Sequence, residues 1–302
     1  MKIVFVSGVK FGHEIIKTLL KNKFQIEAIF SYSKKKKKNY SDYVNYNDIS
    51  KKFKIKNYEI SNINDEKNIR ILNKIKPDLI LVMGWSQIIK KDIIKIPKIG
   101  IIGSHPTELP KYRGRAPIPW TIIKGLKQSA LTFFWIEEGI DDGDIFAQKK
   151  FKISNDDDAN IIYEKIILLG KEILLKKLPQ IEKKQKQIKQ DPKKFIEYWE
   201  KRTPDDGKIN WNDSAKKIHT LIRASTNPYP GAFTVFKNKK IIIWQAKLME
   251  NKLVDPGKIM KVNKNGIIVG TGNGSIILKK VDINNKTLDF ELFSKNIGNS
   301  FE

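Results

Sequence analysis

The sequence predicts an α/β fold in which a mostly parallel sheet, with helices on both faces, is followed by a smaller C-terminal β-domain. Two observations support this prediction. Up to about residue 200, short apolar runs alternate with segments of helical periodicity, a βαβα rhythm typical of parallel sheets. Beyond residue 230, short strand-like runs follow one another with turns between them, which favours a small barrel.

The N-terminal part contains five apolar runs that we predict as parallel strands: Lys2–Ser7, Gln25–Ser31, Asn57–Ile60, Asp78–Met83 and Ile99–Ser104. Helices are expected between and after them, at His13–Lys21, Glu66–Ile75 and from Ala159 onward. A further strand is predicted at Leu131–Ile136. Because parallel strands carry ligands at their carboxyl ends, a Rossmann-like crevice is expected there.

The domain boundary is placed between residues 204 and 205, which gives domains 1–204 and 205–302. The Lys- and Gln-rich stretch Glu182–Pro192 before it is predicted to be solvent-exposed. After the boundary we expect one helix and then five strands: Ser214–Ala224, followed by Ala232–Phe236, Lys240–Ala246, Gly257–Val262, Gly266–Val269 and Ser275–Val281.

The composition excludes several classes of site. The chain of 302 residues has no cysteine, which excludes disulfides, thiolate nucleophiles and cysteine-based zinc sites. No metal site is predicted. The start Met1–Val6 is interpreted as a first strand and not as a signal peptide. No apolar run approaches the roughly 18 residues that a membrane helix requires, so a cytoplasmic protein without a membrane partner is expected.

A net charge of +25 would ordinarily favour a nucleic-acid or other anionic partner, but here it is only weak evidence for one. Most of the charge is lysine scattered through every segment, whereas arginine, which suits bidentate phosphate contacts, is scarce. The five-lysine run Lys34–Lys38 is typical of a solvated loop, with phosphate or RNA steering as the alternative.

His105 and Asp141 are the candidate acid–base pair. His105 follows the apolar run Ile99–Ile102, and Asp141 follows Leu131–Ile136, so both stand where a strand delivers a side chain into the crevice. A carboxylate within hydrogen-bond reach fixes the tautomer of an imidazole and stabilises its cation. Taken singly, each motif is more typical of a structural histidine or an ordinary turn.

The turn Ser7–Gly12 is a second candidate site. It contains Gly8 and Lys10 and precedes a predicted helix. The N–H groups at the start of a helix can bind phosphate. It does not have the G-x-G-x-x-G pattern of dinucleotide sites. Substrate phosphate binding and simple strand-to-helix punctuation both remain open.

Two ordered motifs carry a family resemblance. The pattern H-x-x-x-L-P-x-x-R-G-x-A-P begins at His105, and T-x-x-x-x-x-x-G-x-D-x-G-D-I begins at Thr132. Together they resemble the 10-formyltetrahydrofolate-dependent formyltransferases, which include methionyl-tRNA formyltransferase, glycinamide ribonucleotide transformylase and the sugar N-formyltransferases. Arg202–Asp206 and Ile218–Phe233 are most similar to enzymes that formylate UDP-4-amino-4-deoxy-arabinose and related nucleotide sugars. The resemblance implies the formyltransferase fold with an OB-like C-terminal barrel.

In that family an Asn, a His and an Asp surround the formyl group. His105 and Asp141 match two of them, but Gly103 stands where the family has Asn. Loss of an oxyanion donor commonly costs about 2.7–4 kcal/mol. A backbone N–H at Gly103, Ser104 or Ala116, or the Ser104 hydroxyl, is expected to substitute; a weak or inactive relative is the alternative.

The resemblance also implies where the substrates bind. The formyl donor, 10-formyltetrahydrofolate, is expected to contact Met83, Gly84, Trp85 and Ile88 and the turn from Glu138 to Asp141. The acceptor is expected to contact, besides the Gly8 and Lys10 turn, three arginines: Arg113, Arg115 and Arg202.

The leading hypothesis is therefore an enzyme that transfers a formyl group to the amine of a nucleotide-linked amino sugar. Methionyl-tRNA formyltransferase, with tRNA as partner, is the enzyme alternative. A non-catalytic folate- or RNA-binding relative is the third hypothesis, and homodimer formation is left open.

Overall fold

The computed structural model describes residues 1–183, 188–249, 255–284 and 286–302. Contacts between Cα atoms divide the chain into two compact units. The first unit comprises Met1–Pro117, Lys127–Ser154 and Ile162–Lys201, and the second comprises Ile118–Leu126, Asn155–Ile161 and Arg202–Glu302.

Strands of the first unit are β1 (Ile3–Val6), β2 (Ile26–Tyr32), β3 (Lys56–Ile60), β4 (Leu79–Val82), β5 (Gly100–His105), β6 (Tyr112–Gly114), β7 (Gln128–Trp135), β8 (Ile145–Lys152) and β9 (Glu197–Trp199). Helices of the described chain are α1 (Lys10–Lys21), α2 (Asn47–Phe53), α3 (Glu66–Ile75), α4 (Lys91–Ile94), α5 (Pro117–Ile123), α6 (Ala159–Lys177), α7 (Ala215–Ser225) and α8 (Phe290–Phe293). Short 3-10 helices lie at Lys34–Asn39, Leu178–Lys183, Pro192–Lys194, Pro204–Gly207 and Ser294–Asn296.

The main sheet of the first unit has the strand order β3-β2-β1-β4-β5-β7-β8. Neighbouring strands from β3 to β5 run parallel, and β7 and β8 are antiparallel. β1 and β4 are buried along their whole length, which explains why they are continuous apolar runs and not alternating ones. The carboxyl ends of β1, β4 and β5 therefore meet at one edge of the sheet, beside the point where the strand order reverses.

Helix α1 shows how the pattern fixes a local element. Its buried residues include Phe11, Ile15, Ile16 and Leu19, which recur at three- and four-residue spacing and so lie on one face of the helix. Burial of that face against other elements supplies the stability that an isolated helix of this length lacks.

The second unit contains an antiparallel sheet. Its strands are β10 (Ala232–Phe236), β11 (Lys239–Met249), β12 (Ile259–Asn263), β13 (Gly266–Gly270), β14 (Ser275–Ile283) and β15 (Lys286–Thr287). The paired path is β10-β11-β14-β13-β12, with β15 on β14. Ile218 and Ile222 of α7 are buried in the same apolar cluster as Ile241 and Ile276 of this sheet.

The predicted fold class, a mostly parallel Rossmann-like sheet with an antiparallel C-terminal domain, is confirmed. Three strands, β6, β8 and β9, are not among those predicted from the sequence. Two of these, β6 and β9, are only three residues long and pair with each other in a separate two-stranded sheet. In the described part of the chain, no helix has the length and apolar character needed to span a bilayer.

Candidate active site

The site lies where β5 ends. In the parallel pair β4–β5, Val82 is opposite Gly103, and in the antiparallel pair β5–β7, Thr132 is opposite His105. β5 thus runs between two buried strands, and its last residue reaches the sheet edge with its side chain only 6% exposed. The backbone at His105 is held on a rigid element, as a precise acid–base group requires.

The imidazole of His105 is fixed by a backbone carbonyl. Its Nε2 lies 3.0 Å from the carbonyl oxygen of Tyr112, which also accepts a hydrogen bond of 2.6 Å from the Thr107 hydroxyl. A carbonyl only accepts hydrogen bonds, so Nε2 carries a hydrogen here. Nδ1 is then the nitrogen of His105 that can gain or release a proton.

Asp141 faces that second nitrogen. Its Oδ2 lies 3.6 Å from His105 Nδ1 and accepts a hydrogen bond of 3.0 Å from the backbone N–H of Gly114. The side chain of Asp141 is 21% exposed, so the carboxylate is largely shielded from water yet reachable. A carboxylate at this place stabilises an imidazolium at His105 and orients its ring.

The backbone at Asp141 has an unusual conformation. Its φ of +52° lies in the left-handed region, which few residues other than glycine adopt. Such conformations cluster at functional sites, where surrounding contacts hold them in place. The structure thus brings together the two residues that the sequence motifs single out, although they are separated by more than thirty positions.

Gly103 leaves no open space for the family's Asn. A Cβ added there would lie 3.0 Å from Ile136 Cγ1 and 3.2 Å from Phe134 Cζ. Gly103 and His105 are two positions apart on β5 and so face the same side of the sheet. Apolar side-chain atoms therefore crowd the position where the Asn side chain would begin, and they must shift slightly to admit it.

Ser104 lies on the opposite face of β5. Its hydroxyl oxygen is 3.4 Å from the backbone nitrogen of Gly84. The structure therefore groups Ser104 with the loop after β4 and does not bring its hydroxyl beside His105. The backbone N–H groups of Gly103, Ser104 and Ala116 therefore stay as the proposed replacements for the missing Asn amide. The backbone of Ala116 has a left-handed φ of +48°.

The loop after β4 contains the residues predicted to contact the formyl donor. Met83 is fully buried, Gly84 is exposed with a φ of +63°, and the Ile88 side chain is 64% exposed. Trp85 stacks on Tyr32 with ring centroids 3.7 Å apart. Of the four, Gly84 and Ile88 present accessible surface, while Met83 contributes a core side chain.

Aromatic rings and hydroxyls brace this loop. Tyr40 stacks on the other face of Tyr32 at 4.1 Å, and the Ser86 hydroxyl lies 2.9 Å from the Tyr40 hydroxyl. The backbone N–H of Ser86 donates to the Tyr32 hydroxyl at 3.1 Å. Burial raises the pKa of Tyr32 above its ordinary value, so the ring stays neutral and stacked.

A shallow pocket of about 450 Å³ adjoins the Asp141 turn. It is lined by one apolar residue and the acidic turn: Ile94, Glu137, Glu138, Gly139 and Asp142. Glu138 forms an ion pair of 3.0 Å with Lys91. The depression is open to solvent, and its three carboxylates can accept hydrogen bonds from amino and ring N–H groups.

The turn after β1 has its donors engaged within the protein. The backbone N–H of Lys10 donates to the Asp42 carbonyl at 2.9 Å, and that of Phe11 donates to the Tyr163 hydroxyl at 3.0 Å. The Lys10 ammonium is paired with Glu164. A Cβ at Gly8 would collide with the ring of Tyr32. These contacts favour the punctuation alternative over phosphate binding at Gly8 and Lys10.

The three candidate arginines have different environments. Arg113 donates to the Gln190 side-chain oxygen at 2.8 Å, while Arg115 is exposed and its backbone N–H donates to the Trp199 carbonyl at 2.8 Å. In the second unit, Arg202 stacks over the Trp120 ring at 5.3 Å. Burial lowers the pKa of Arg202, and Asp206 opposes this shift.

The segment before the predicted boundary corrects one prediction. Residues 184–187 of the stretch Glu182–Pro192 lie outside the described residues. In the described remainder, Gln190 is only 9% exposed and contacts Arg113 and the turn that carries Asp141. The stretch is hydrophilic and is predicted to be exposed. Gln190 is nevertheless buried, because its amide forms hydrogen bonds with protein groups in place of water.

Comparison with known proteins identifies both parts of the chain. Residues 1–178 match the family model described as formyl transferase, and residues 201–297 match the model described as formyl transferase, C-terminal domain. The bifunctional polymyxin resistance protein ArnA of Wigglesworthia glossinidia brevipalpis is 35% identical over 266 residues, which span 87% of this chain and 40% of that protein. Methionyl-tRNA formyltransferase of Acetivibrio thermocellus is 32% identical over 291 residues, which span 93% of this chain and 91% of that enzyme.

Solved structures share the fold. HypX from Aquifex aeolicus, in complex with tetrahydrofolic acid, gives a TM-score of 0.71 at 19% identity, over 97% of this chain and 46% of HypX. WlaRD, a sugar 3N-formyl transferase solved with dTDP and 5-N-formyl-THF, gives a TM-score of 0.67 at 22% identity, over 95% of this chain and 98% of WlaRD. At these identities the likeness establishes the fold alone.

Proposed function

Because the chain belongs to the formyltransferase family, we propose that it transfers the formyl group of 10-formyltetrahydrofolate to the amine of a nucleotide-linked amino sugar. The observation that carries the proposal is the pairing of His105 with Asp141 at the carboxyl end of β5. Family membership confirms the expectation of a formyltransferase enzyme; the sugar acceptor is the finer proposal.

We propose that the donor binds beside the pair. A folate presents a pterin with an N–H donor edge, and the exposed carboxylates of Glu137, Glu138 and Asp142 beside Asp141 can accept hydrogen bonds from it. Gly84 and Ile88 supply accessible surface on the neighbouring loop. When bound, the donor supplies an activated formyl group on nitrogen.

The protein's part in the reaction follows from the contacts of His105. With Nε2–H held by the Tyr112 carbonyl, Nδ1 is the position at which the ring takes up a proton. The resulting imidazolium lies next to the Asp141 carboxylate and supplies positive charge to an oxyanion formed beside it. Asp141 in turn orients the ring, accepts the proton that the attacking amine loses and returns it to the nitrogen of the departing tetrahydrofolate. The C–N bond formed to the amine thus replaces the C–N bond broken to the donor.

The oxyanion receives no side-chain amide from position 103 of β5, because that residue is glycine. The side chains of Ile136 and Phe134 lie close to the position where a Cβ would stand. We propose that backbone N–H groups near the end of β5 or at Ala116 supply the missing donor. Backbone donors serve this role in other acyl-transfer sites and require no side-chain ordering.

One motif supports an amino sugar as acceptor. Arg202–Asp206 is similar to the corresponding segment of enzymes that formylate UDP-4-amino-4-deoxy-arabinose, and it forms a compact turn in which Thr203 and Asp206 cap each other and Arg202 donates to the Asp206 carbonyl at 2.8 Å. Overall identity does not separate the two acceptors, since ArnA is 35% identical over 266 residues and a methionyl-tRNA formyltransferase is 38% identical over 210 residues.

Methionyl-tRNA is the second candidate acceptor. It is favoured by the length of the match to the A. thermocellus enzyme and by the lysine run, which forms a 3-10 helix in which Lys34, Lys35 and Lys37 are exposed. Exposed lysines attract phosphate backbones in a salt-dependent way.

One assay separates the candidates. Release of tetrahydrofolate from 10-formyltetrahydrofolate is followed with UDP-4-amino-4-deoxy-arabinose, a dTDP-linked 3-amino sugar and initiator methionyl-tRNA in parallel, with His105→Ala as the blank. Turnover with an amino sugar and none with tRNA supports the proposal. Turnover with tRNA alone replaces it by the second candidate, and folate binding without turnover on any acceptor indicates a non-catalytic relative.

A further inference from the structure

Residues 188–199, here called the return segment, run along the first unit on both sides of the His105–Asp141 pair. Ile188 exchanges two backbone hydrogen bonds with Ile145, of 2.8 and 3.3 Å, just after the Asp141 turn. Farther along, β9 pairs with β6, the strand that contributes the carbonyl of Tyr112 and the N–H of Gly114 to the site. The return segment therefore contacts β6, which holds His105 and Asp141 through backbone atoms, and the chain that directly follows the Asp141 turn.

Gln190 makes the central contact of this segment. Its amide nitrogen donates to the carbonyl oxygens of Asp141 and Gly143, each at 2.8 Å, and its amide oxygen accepts from Arg113 at 2.8 Å. The nitrogen faces two acceptors and the oxygen faces a donor, so only one orientation of the amide satisfies all three partners. Both N–H groups of this buried side chain are engaged.

The two carbonyls belong to the turn that places the catalytic carboxylate. Asp141 holds a left-handed φ of +52°, which it keeps only while neighbouring contacts favour it. Without the amide of Gln190, both carbonyls lose a hydrogen-bond donor in a shielded environment, and the turn can relax to recover one. Relaxation moves Oδ2 away from the Gly114 N–H at 3.0 Å and from His105 Nδ1 at 3.6 Å.

Arg113 and Phe195 hold Gln190 in turn. The Arg113 guanidinium lies over the Phe195 ring at 5.6 Å, so a second residue of the return segment fixes the group that donates to Gln190. Arg113, which is expected to bind substrate or cofactor, thus also contacts two residues of the return segment beside the site.

We propose that Gln190 is a positioning residue: through the carbonyls of Asp141 and Gly143 it sets the Asp141 carboxylate against His105. Its kinetic consequence rests on the proposed formyl transfer, whereas its geometric consequence does not. The return segment is then part of the active site and not a linker to the second unit.

Two variants test the proposal with one matched control. Gln190→Met keeps the length of the side chain and removes all three hydrogen bonds, and Gln190→Glu keeps an oxygen toward Arg113 while placing another against two carbonyl oxygens. Gln245→Met applies the same change at an exposed position of β11. Thermal melts and far-UV circular dichroism establish that each variant is folded.

The kinetic measurement asks whether Gln190 acts through Asp141. We expect either Gln190 variant to lower kcat by about 10²-fold with little change in the KM for the donor, since a small misplacement of a catalytic group costs roughly that factor. In the Asp141→Asn background, Gln190→Met should cause little further loss, because coupled residues are not additive. A purely structural role would instead give losses that multiply.

The second measurement needs no turnover. The chain has three histidines, so the imidazole Cε1–H region of an NMR spectrum contains few signals, and His105→Ala identifies that of His105. We expect the His105 signal to shift in both Gln190 variants while those of His13 and His219 stay in place, and no shift in Gln245→Met.

The outcomes separate this proposal from the proposed function. An unshifted His105 signal in both folded Gln190 variants overturns the positioning role, as does unchanged kcat in an active enzyme. A wild type that formylates no acceptor overturns the proposed function, and in that case a shifted His105 signal still supports the positioning of Asp141 by Gln190.

Discussion

Replacing Gly103 by Asn restores the residue that the family carries beside its histidine, and the structure predicts that the restoration harms this protein. A Cβ at this position meets Ile136 at 3.0 Å and 3.1 Å and Phe134 at 3.2 Å, and the amide adds three more heavy atoms beyond it. Inserting atoms into packed surroundings typically costs about 1–3 kcal/mol. At about 2–4 °C per kcal/mol for a unit of this size, the melting temperature should fall by about 2–12 °C.

The rate gives the sharper test. If backbone donors already stabilise the oxyanion, Gly103→Asn should leave kcat unchanged or lower it. If the site has merely lost its donor, the new amide should recover up to about 10²–10³-fold. Steady-state turnover of wild type and variant, measured with the acceptor that gives the higher wild-type rate, distinguishes the two. A large gain in kcat at an unchanged melting temperature would refute the argument from packing.

Two further variants isolate the steric part. Gly103→Ala adds the Cβ without the amide and should cost less stability than Asn. Ile136→Ala removes the atoms nearest the new side chain, so it should cost less stability in the Gly103→Asn background than in wild type. An equal cost in the two backgrounds would place the clash elsewhere than at Ile136.

The remaining predictions concern single groups. His105→Ala and Asp141→Asn should each lower turnover by about 10²–10⁴-fold with little effect on folate affinity by calorimetry; near-normal rates in both would exclude the acid–base assignment. Burial, followed by the charge of Arg223, lowers the pKa of His219. Between about pH 6.5 and the lowered pKa of the folded state, the unfolded chain binds more protons than the folded chain, so the wild type should lose stability on acidification across this window. The free energy of unfolding in urea should fall less between pH 7 and pH 5 for His219→Asn than for the wild type. Equal losses in the two proteins would contradict this. The hydrogen bond from Lys171 lowers the pKa of Glu14, a stabilising effect complete above about pH 4.3 and lost as pH falls through the folded value. Glu14→Gln should therefore cost about 0.5 kcal/mol at pH 7 and progressively less in acid, and a pH-independent difference in urea midpoints would disprove the linkage.

His13 lies outside the catalytic motifs but is held by contacts within the protein. In the structure it is buried, its Nε2 lies 3.3 Å from both Asp48 oxygens, and its ring contacts Tyr46 edge-on. Its replacement is therefore expected to lower stability.

The predictable part of the molecule is that set by local pattern. The helix Glu66–Ile75 and the strand Ala232–Phe236 have the predicted bounds, because apolar spacing over a few residues determines both. The pairing of His105 with Asp141 also follows from short motifs, since each residue stands immediately beyond a recognisable strand or turn.

The less predictable part is set by contacts between distant positions. Gln190 lies 77 residues from Arg113 and 49 from Asp141, in a stretch whose composition is typical of solvent-exposed chain. The partners of Gly8 and Lys10 are likewise remote: the hydroxyl that engages the helix start belongs to Tyr163, 152 residues from Phe11. The spacing of residues along a short segment carries no information about such distant contacts. A polar side chain can be buried where distant groups satisfy its hydrogen bonds, and the local sequence does not show this.

The division of the chain into two units has a consequence for engineering acceptor specificity. The second unit takes Ile118–Leu126 and Asn155–Ile161 from the part of the chain before residue 202, in addition to Arg202–Glu302. A chimera made by joining two relatives at residue 201 would therefore pair a C-terminal unit from one parent with these two segments from the other. Exchange of the whole unit requires three grafts, and a single crossover at the apparent boundary is expected to yield mismatched packing before it yields a new substrate.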